Sequence, residues 1–328
     1  MKNLLKRALS LILCVLFTLT IFSACGNVSG ETPVNKDAKY IVGICQFAEH
    51  TALDSATAGF KAALTEKLGD DVAFDYQNAA GEKANAASIC TLFASDKYSL
   101  IFANSTNALA AAAEATSEIP VVACSVTDFV STLGLESFTG KTGFNVTGAS
   151  DILPLEKQAE VVSEMVPTAK KVGILYCSSE INSKFQADEI TKHFTKLGLE
   201  CENYTFVDTT DLTLVVEKAA KECDVIYTPT DNTVASNTQA INNILEPAKI
   251  PLVAGNNDVA LECGIGTVGI EYFDLGYDAG LMAYEILAEG KNPGDMEIIY
   301  AKEYKKYYVA ERCDMLGIKA PEGYTPMK

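Results

Sequence analysis

Short runs of Asn, Asp, Ser and Thr carry most of the chemistry that this 328-residue chain offers. Asn104, Ser105, Thr106 and Asn107 stand directly before ALAAAAEA, a run of strong helix formers. Asp231 and Asn232 open a similar stretch in PTDNTVAS, and Ser150 with Asp151 closes NVTGASD. Glu180 and Asn182 lie in SSEINS. Such side chains cap helix starts, and the N–H groups exposed there attract anions. A carboxylate is the natural guest at Ser105, Thr106 and Asn107, although capping alone also accounts for these residue types. An ammonium group withdrawn from water needs a carboxylate partner. Asp151, Asp231 and Glu271 are the acidic candidates, and the sequence leaves open which one pairs. Phe47, Phe129 and Tyr272 sit at the ends of apolar runs, where a ring could stack or simply pack.

Enzymatic chemistry finds little support. The two histidines, His50 and His193, leave few groups for acid–base work, and His50 reads as a loop hydrogen-bonder. No nucleophile elbow, P-loop or metal-ligand cluster stands out, so no catalytic residue, cofactor or metal is expected. Gly264, Gly266 and Gly269 fit GxGxxG but lead into a strand-like run, whereas a dinucleotide site needs strand, glycines and then helix. An extracellular hydrolase with paired carboxylates is the enzyme alternative.

Around these residues, strand-like and helix-like stretches alternate in one rhythm that runs twice along the chain. YIVGIC, VAFDYQ, YSLIFAN and IPVVACS are strand-length apolar runs separated by helical stretches, as in Phe60, Leu64 and Leu68 on one helix face. VGILYCS, ECENYTFV, DVIYTPT, IPLVAG and GIGTVGI restart the pattern, with DEITKHFTKLGL among the helices between them. SEIPVVACSVTD in the first half answers AKIPLVAGNNDV in the second. Uniformly apolar strands alternating with amphipathic helices predict two α/β lobes, each a doubly wound parallel sheet. Ligands of such sheets bind at the carboxyl ends of the strands. That rule selects residues 46–54, 104–107, 125–128, 178–183, 230–233, 255–258 and 271–274. The candidate ligand-binding residues are therefore Gln46, Phe47, Ser105, Thr106, Asn107, Ser125, Asp128, Ser150, Asp151, Glu180, Asn182, Asp231, Asn232, Asn256, Glu271 and Tyr272.

Lys2, Lys6 and Arg7 precede an apolar run ending in Phe22, Ser23, Ala24, Cys25 and Gly26. This predicts a secretory signal over 1–24 and a lipobox whose Cys25 is lipidated, the apolar run being short for a membrane span. Residues 25–38 are polar and predict a flexible tether. The net charge of −17 becomes −20 without the signal, since residues 1–24 hold three basic residues and no acidic one. Such a surface argues against nucleic acid as a partner. Arg7 and Arg312 are the only arginines, so an arginine clamp on a ligand is not expected. The eight cysteines after Cys25 lie largely in apolar runs and predict mostly free thiols, with a Cys201–Cys223 bridge as the alternative.

The chain resembles the substrate-binding proteins of ABC importers that include tryptophan- and tyrosine-binding lipoproteins, with the type I periplasmic-binding-protein fold. The resemblance is carried by Gln46, Phe47, His50 and Asp54, by NVTGASD (145–151), GILY (173–176) with SSEINS, PTDNTVAS (229–236) and VGIEYFDLG (268–276). It departs at Thr51, where the family commonly has Pro, and at Thr106 and Asn107, where it favours Thr-Pro. The resemblance implies a chain crossing between lobes three times. The first lobe would hold 39–149 plus about 273–296, and the second 150–272 plus about 297–328. It further implies an extracytoplasmic, lipid-anchored protein that closes on a small solute and docks on an ABC permease. An aromatic or apolar amino acid is the expected ligand. A sugar or nucleoside binder of the same fold and a ligand-sensing receptor subunit are the alternatives.

Overall fold

The repeated alternation becomes two sheets in the computed structural model, which describes residues 34–327. The first half forms β1 (Tyr40–Gln46), α1 (Thr51–Leu68), β2 (Val72–Asn78), α2 (Lys83–Ser95), β3 (Leu100–Asn104), α3 (Thr106–Ala115), β4 (Val121–Val126), α4 (Phe129–Leu133) and β5 (Val146–Ser150). The second forms α5 (Leu155–Met165), β6 (Lys171–Cys177), α6 (Ile181–Lys196), β7 (Glu200–Phe206), α7 (Thr209–Glu222), β8 (Val225–Thr228), α8 (Asn232–Ala235), α9 (Thr238–Ala248), β9 (Leu252–Ala254), α10 (Asn257–Cys263) and β10 (Gly266–Gly269). The chain ends with α11 (Tyr272–Glu289), β11 (Ile299–Tyr300), β12 (Lys305–Tyr308), α12 (Ala310–Leu316) and β13 (Thr325–Pro326).

The first sheet runs β11-β5-β4-β3-β1-β2 and is parallel throughout. The second runs β13-β12-β10-β9-β8-β6-β7, with β12 antiparallel to β10. Strands β3, β4 and β5 are buried along their whole length, which is why they read as unbroken apolar or small-residue runs. The helices cover both faces. Phe60 of α1 stacks on Phe102 of β3 with ring centroids 3.8 Å apart. Gly264, Gly266 and Gly269 lie before and within β10, so this glycine motif opens a strand and not a helix.

Helix α11 returns to the first lobe and packs backbone against backbone on α1. A Cβ on Gly59 would come within 2.0 Å of the Phe273 carbonyl oxygen, and one on Gly276 within 2.0 Å of the Ala56 carbonyl oxygen. Two glycines thus set the distance between the helix that follows β1 and the one that follows the second lobe's last parallel strand.

Two features differ from the sequence pattern. Ile299 and Tyr300 pair with Ala149 and Ser150, so this strand edges the first sheet instead of entering the second lobe. The preceding Ile298 is buried in the first lobe's core and bonds Gly140, so the last crossing falls after Tyr300. A two-residue edge strand carries no periodicity that could assign it to either sheet. Helix α6 starts at Ile181, well before the apolar pattern beginning at Asp188. Its first two turns bury Asn182, Ser183 and Gln186, while Ile181 is exposed, so apolar periodicity fails where the helix faces the other lobe.

The eight cysteines beyond the tether are free thiols, seven buried and Cys201 half-buried. Burial pushes Cys124 and Cys263 up to about 12. The predicted signal, the lipobox with Cys25 and most of the tether lie outside the described residues.

Candidate functional site

The carboxyl ends of β1, β3, β4 and β5 form the first lobe's edge of the cleft. Gln46 is buried there with both ends of its amide in use. Its Nε2 donates to Ala48 O (2.9 Å) and Asp54 Oδ1 (2.6 Å), and its Oε1 accepts from Thr57 Oγ1 (2.7 Å). Asn104 Nδ2 donates to Leu53 O (2.8 Å) and Thr57 Oγ1 (3.0 Å), whereas its buried Oδ1 has no hydrogen-bond partner among the described residues. Ser105 caps α3 through Ala108 N (3.3 Å) and has φ +121°. Ser125, at the end of β4, has φ +56°. Both conformations are unfavourable for a side chain bearing Cβ, and such strain concentrates at ligand sites. Asn107, in the first turn of α3, is buried with its Nδ2 unpartnered.

Thr127 links this edge to Asp151. Its backbone N–H donates to Thr106 Oγ1 (3.5 Å), and its hydroxyl donates to Asp151 Oδ1 (3.4 Å). Tyr272 OH donates to Asp151 Oδ2 (3.0 Å). Asp151 follows β5 at the first crossing and Tyr272 opens α11 at the second, so this bond ties two of the three crossings together. Burial pushes the Asp151 carboxyl up to about 6, against the pull of these two hydroxyls. Ser150 Oγ donates to Thr127 O (3.2 Å).

The second lobe's edge is more densely bonded. Glu180 Oε2 accepts from Asn232 N (3.2 Å), Asn232 Nδ2 (2.6 Å) and Asn182 Nδ2 (3.2 Å). Its Oε1 accepts from Thr233 N (2.8 Å) and Thr233 Oγ1 (2.8 Å). Asp231 accepts from Val234 N (2.8 Å) and Cys177 N (2.7 Å). Burial, and then the neighbouring Glu180 charge, hold Asp231 well above the usual carboxylate range. Gln186 Nε2 donates to Thr230 O (3.2 Å) and Asn182 O (3.2 Å), and Gln186 Oε1 accepts from Thr230 N (3.3 Å). Buried acceptors without a partner among the described residues remain at Asn182 Oδ1 and Asn256 Oδ1.

Contacts between the edges hold the lobes closed. His50 Nδ1 lies 2.9 Å from Asp258 Oδ2, and its Nε2 lies 3.3 Å from Asn232 Oδ1. Gln186 Nε2 reaches Thr127 Oγ1 (3.5 Å), Ser236 Oγ donates to Glu49 O (3.2 Å), and Lys83 Nζ donates to Ser179 O (2.6 Å). A cavity of about 580 Å³ lies between the lobes, lined by Phe47, Ala48, Gly81 and Lys83 on one side and Glu180, Val207, Asn232 and Thr233 on the other.

Of the sequence candidates, Gln46, Phe47, Ser105, Thr106, Asn107, Ser125, Ser150, Asp151, Glu180, Asn182, Asp231, Asn232, Asn256 and Tyr272 are all buried at these edges. Two are placed elsewhere. Asp128 is half-buried and caps α4 through Val130 N (3.2 Å) and Ser131 N (2.9 Å). Glu271 is exposed, accepts from Tyr307 OH (3.3 Å), and lines a separate cavity of about 450 Å³ with Asp278, Lys302 and Tyr304. Phe129 is buried in the first lobe's core beside Phe47. Asn104, Thr127, His50 and Asp258 also stand at these edges; all lie within the strand-end segments, where nothing in their residue types sets them above their neighbours. Gln186 lies one helical turn beyond Asn182 and gave no such signal.

The comparisons with known proteins bear on this site. Residues 41–324 match the family model described as ABC transporter substrate binding protein. A tyrosine-binding protein of Clostridioides difficile (strain R20291) is 35% identical over 302 residues, covering 89% of this chain and 87% of that protein. An ABC domain from Streptococcus pneumonia in complex with L-Trp is 29% identical, with a TM-score of 0.82 over 86% of this chain and 96% of that one. A substrate binding protein with adhesive properties from Clostridium difficile, in its ligand-free, open structure, is 32% identical with a TM-score of 0.66, covering 88% of this chain and 99% of that one. The higher score goes with the L-Trp complex and the lower with the open form, in line with the bonds that join the two lobes here.

Proposed function

The chain belongs to the ABC transporter substrate binding protein family, whose members are extracytoplasmic solute binders and not enzymes, and on that premise we propose that it captures a zwitterionic amino acid with an aromatic or apolar side chain for delivery to an ABC permease. The observation that carries the reading is Asp151. It is a buried carboxylate that, among the described residues, accepts from the side chains of Thr127 and Tyr272 and is otherwise helped by its own backbone N–H, with no cationic group bonded to it. A buried carboxylate so poorly compensated is a receptor for a cation. Glu180 and Asp231 are already engaged by backbone N–H groups, and Glu271 lies outside the cleft, so the ligand's ammonium goes to Asp151. The ligand carboxylate goes to the start of α3, where helix N–H groups and the unpartnered Asn107 amide supply donors. Its side chain lies toward Phe47. The tyrosine-binding relative and the L-Trp complex support the aromatic class.

The same reading makes Cys25 the site of a lipid that tethers the protein to the outer face of the membrane. Cys25→Ala would release it from the membrane fraction.

A thermal-shift panel of the twenty amino acids, common nucleosides and sugars tests the proposal. A ligand at a hundred times its Kd adds about 2.7 kcal/mol of stability. Stabilisation confined to amino acids, Tyr, Trp or Phe foremost, is expected. Stabilisation by sugars or nucleosides alone would sink the assignment of ligand class and favour the alternative binder of the same fold.

A further inference from the structure

His50 spans the closed cleft with both ring nitrogens engaged by the opposite lobe. Nδ1 meets Asp258 Oδ2 of α10 at 2.9 Å, and Nε2 meets Asn232 Oδ1 of α8 at 3.3 Å. The Asn232 amide has one possible orientation. Its Nδ2 donates to Glu180 Oε2 at 2.6 Å, an oxygen that also accepts from Asn232 N and Asn182 Nδ2 and so serves as an acceptor. Oδ1 therefore faces His50, and Nε2 must carry a hydrogen. At the other nitrogen the partner is a carboxylate that also accepts from Ala52 N (3.3 Å) and Val259 N (3.0 Å). A second hydrogen lies between Nδ1 and Oδ2. Whether it sits on nitrogen or oxygen, the joined pair holds two hydrogens. A separated neutral imidazole and an ionised carboxylate hold one.

We propose that closure of the cleft on its ligand takes up a proton at the His50–Asp258 pair, making solute capture proton-linked. The proposal rests on the reading of this cleft as a ligand-closed one. His50 and Asp258 belong to different lobes, so the pair exists only when the lobes meet. The groups around His50 favour the cation. Asp258 faces it directly, Glu180 stands behind Asn232, and Asp151 and Tyr272 lie close enough for their ionisation to feel the pair; Asp54 lies one turn further along α1, held by Gln46. Burial pulls His50 down, but the bond to Asp258 and its charge outweigh this and leave the imidazole above its ordinary value. Burial likewise pushes Asp258 up, and His50 more than offsets it.

The sign follows from a closed-state pKa raised above the open-state one. The contribution to closure is complete below the ordinary histidine range near 6.5 and is lost as pH rises through the raised value. Affinity therefore strengthens as pH falls toward that range, by at most about tenfold per unit for one proton. Protonation of Asp151 near 6 opposes the gain below it.

The test is calorimetric titration with L-tyrosine at pH 7.5 in buffers of differing ionisation heat, on the native protein and on His50→Gln. Native protein is expected to take up more protons per ligand than the variant, and its Kd is expected to depend more steeply on pH. Equal uptake in both overturns the proposal. His193 is the only other histidine, so 15N-histidine spectra of the native protein give a second readout free of any folding defect in the variant. With L-tyrosine bound, both His50 nitrogens should stay protonated past the ordinary range, and a titration within that range overturns the proposal. If no amino acid binds, the functional reading fails, and whichever nucleoside or sugar stabilises the protein replaces L-tyrosine in the same spectra; a His50 titration within the ordinary range in that complex overturns the proposal.

Discussion

Glu180, on the second lobe's edge, takes hydrogen bonds from two backbone N–H groups, two Asn amides and a hydroxyl, whereas Asp151, on the first lobe's edge, takes two hydroxyls from other residues and its own backbone N–H. Around Glu180 the backbone is regular, and the acid fixes the start of α8. On the first lobe's edge, Ser105 and Ser125 near the ends of β3 and β4 have positive φ, and Asn107 Nδ2 has no hydrogen-bond partner among the described residues. Residues of the same types thus do different work. A charge whose bonds are complete within the fold holds a rigid wall, and the charge left short of donors is the one proposed to meet the ligand.

This contrast is broken most severely at Asp151. Asp151→Asn should weaken L-tyrosine binding at least a hundredfold, by about 3–5 kcal/mol, as expected for removing one partner of a buried ion pair. The same change should stabilise the unliganded protein at neutral pH. The carboxyl is raised from 3.8 to about 6, so the folded state holds its proton longer than the unfolded state does. Stability from this group therefore falls as pH rises from about 4 to 6, by about 3 kcal/mol at 1.36 kcal/mol per unit. Asn removes that fall, which unfolding curves across this range will reveal. Glu180→Gln should do the reverse. It places an amide against donors and should cost about 2–3 kcal/mol of folding stability in thermal unfolding without ligand.

Asn107→Ala sharpens the contrast further. Its Nδ2 has no partner to lose, so the melting temperature of the unliganded protein should hold. Binding should weaken about thirtyfold, or about 2 kcal/mol, the scale of one hydrogen bond to a charged group. The smallest effect is expected at Ser105→Gly. Glycine relieves the positive φ but gives up the cap oxygen, for a net gain of about 1 kcal/mol in folding stability by denaturant titration.

Much of this was legible in the sequence, and the gaps have physical causes. Uniformly apolar strands such as IPVVACS announced buried parallel sheets, and the strand-end rule located nearly every cleft residue. The rule could not rank acids. Asp151, Asp231 and Glu271 look alike in sequence, and only hydrogen-bond accounting separates a saturated cap, an exposed hinge residue and an undercompensated carboxylate. Apolar periodicity places the start of helix α6 too late because its cleft-facing turns bury Asn182 and Gln186, where that periodicity has nothing to detect. The pair His50 and Asp258 is 208 positions apart, and pairing across that span is a property of closure.

Calorimetric titration of the native protein with L-tyrosine and with 3-(4-hydroxyphenyl)propanoate, which lacks only the amine, shows whether Asp151 holds a ligand ammonium. The amino acid should bind, with at least a hundredfold loss for the deaminated acid. Comparable affinity for the two would rule out that role for Asp151.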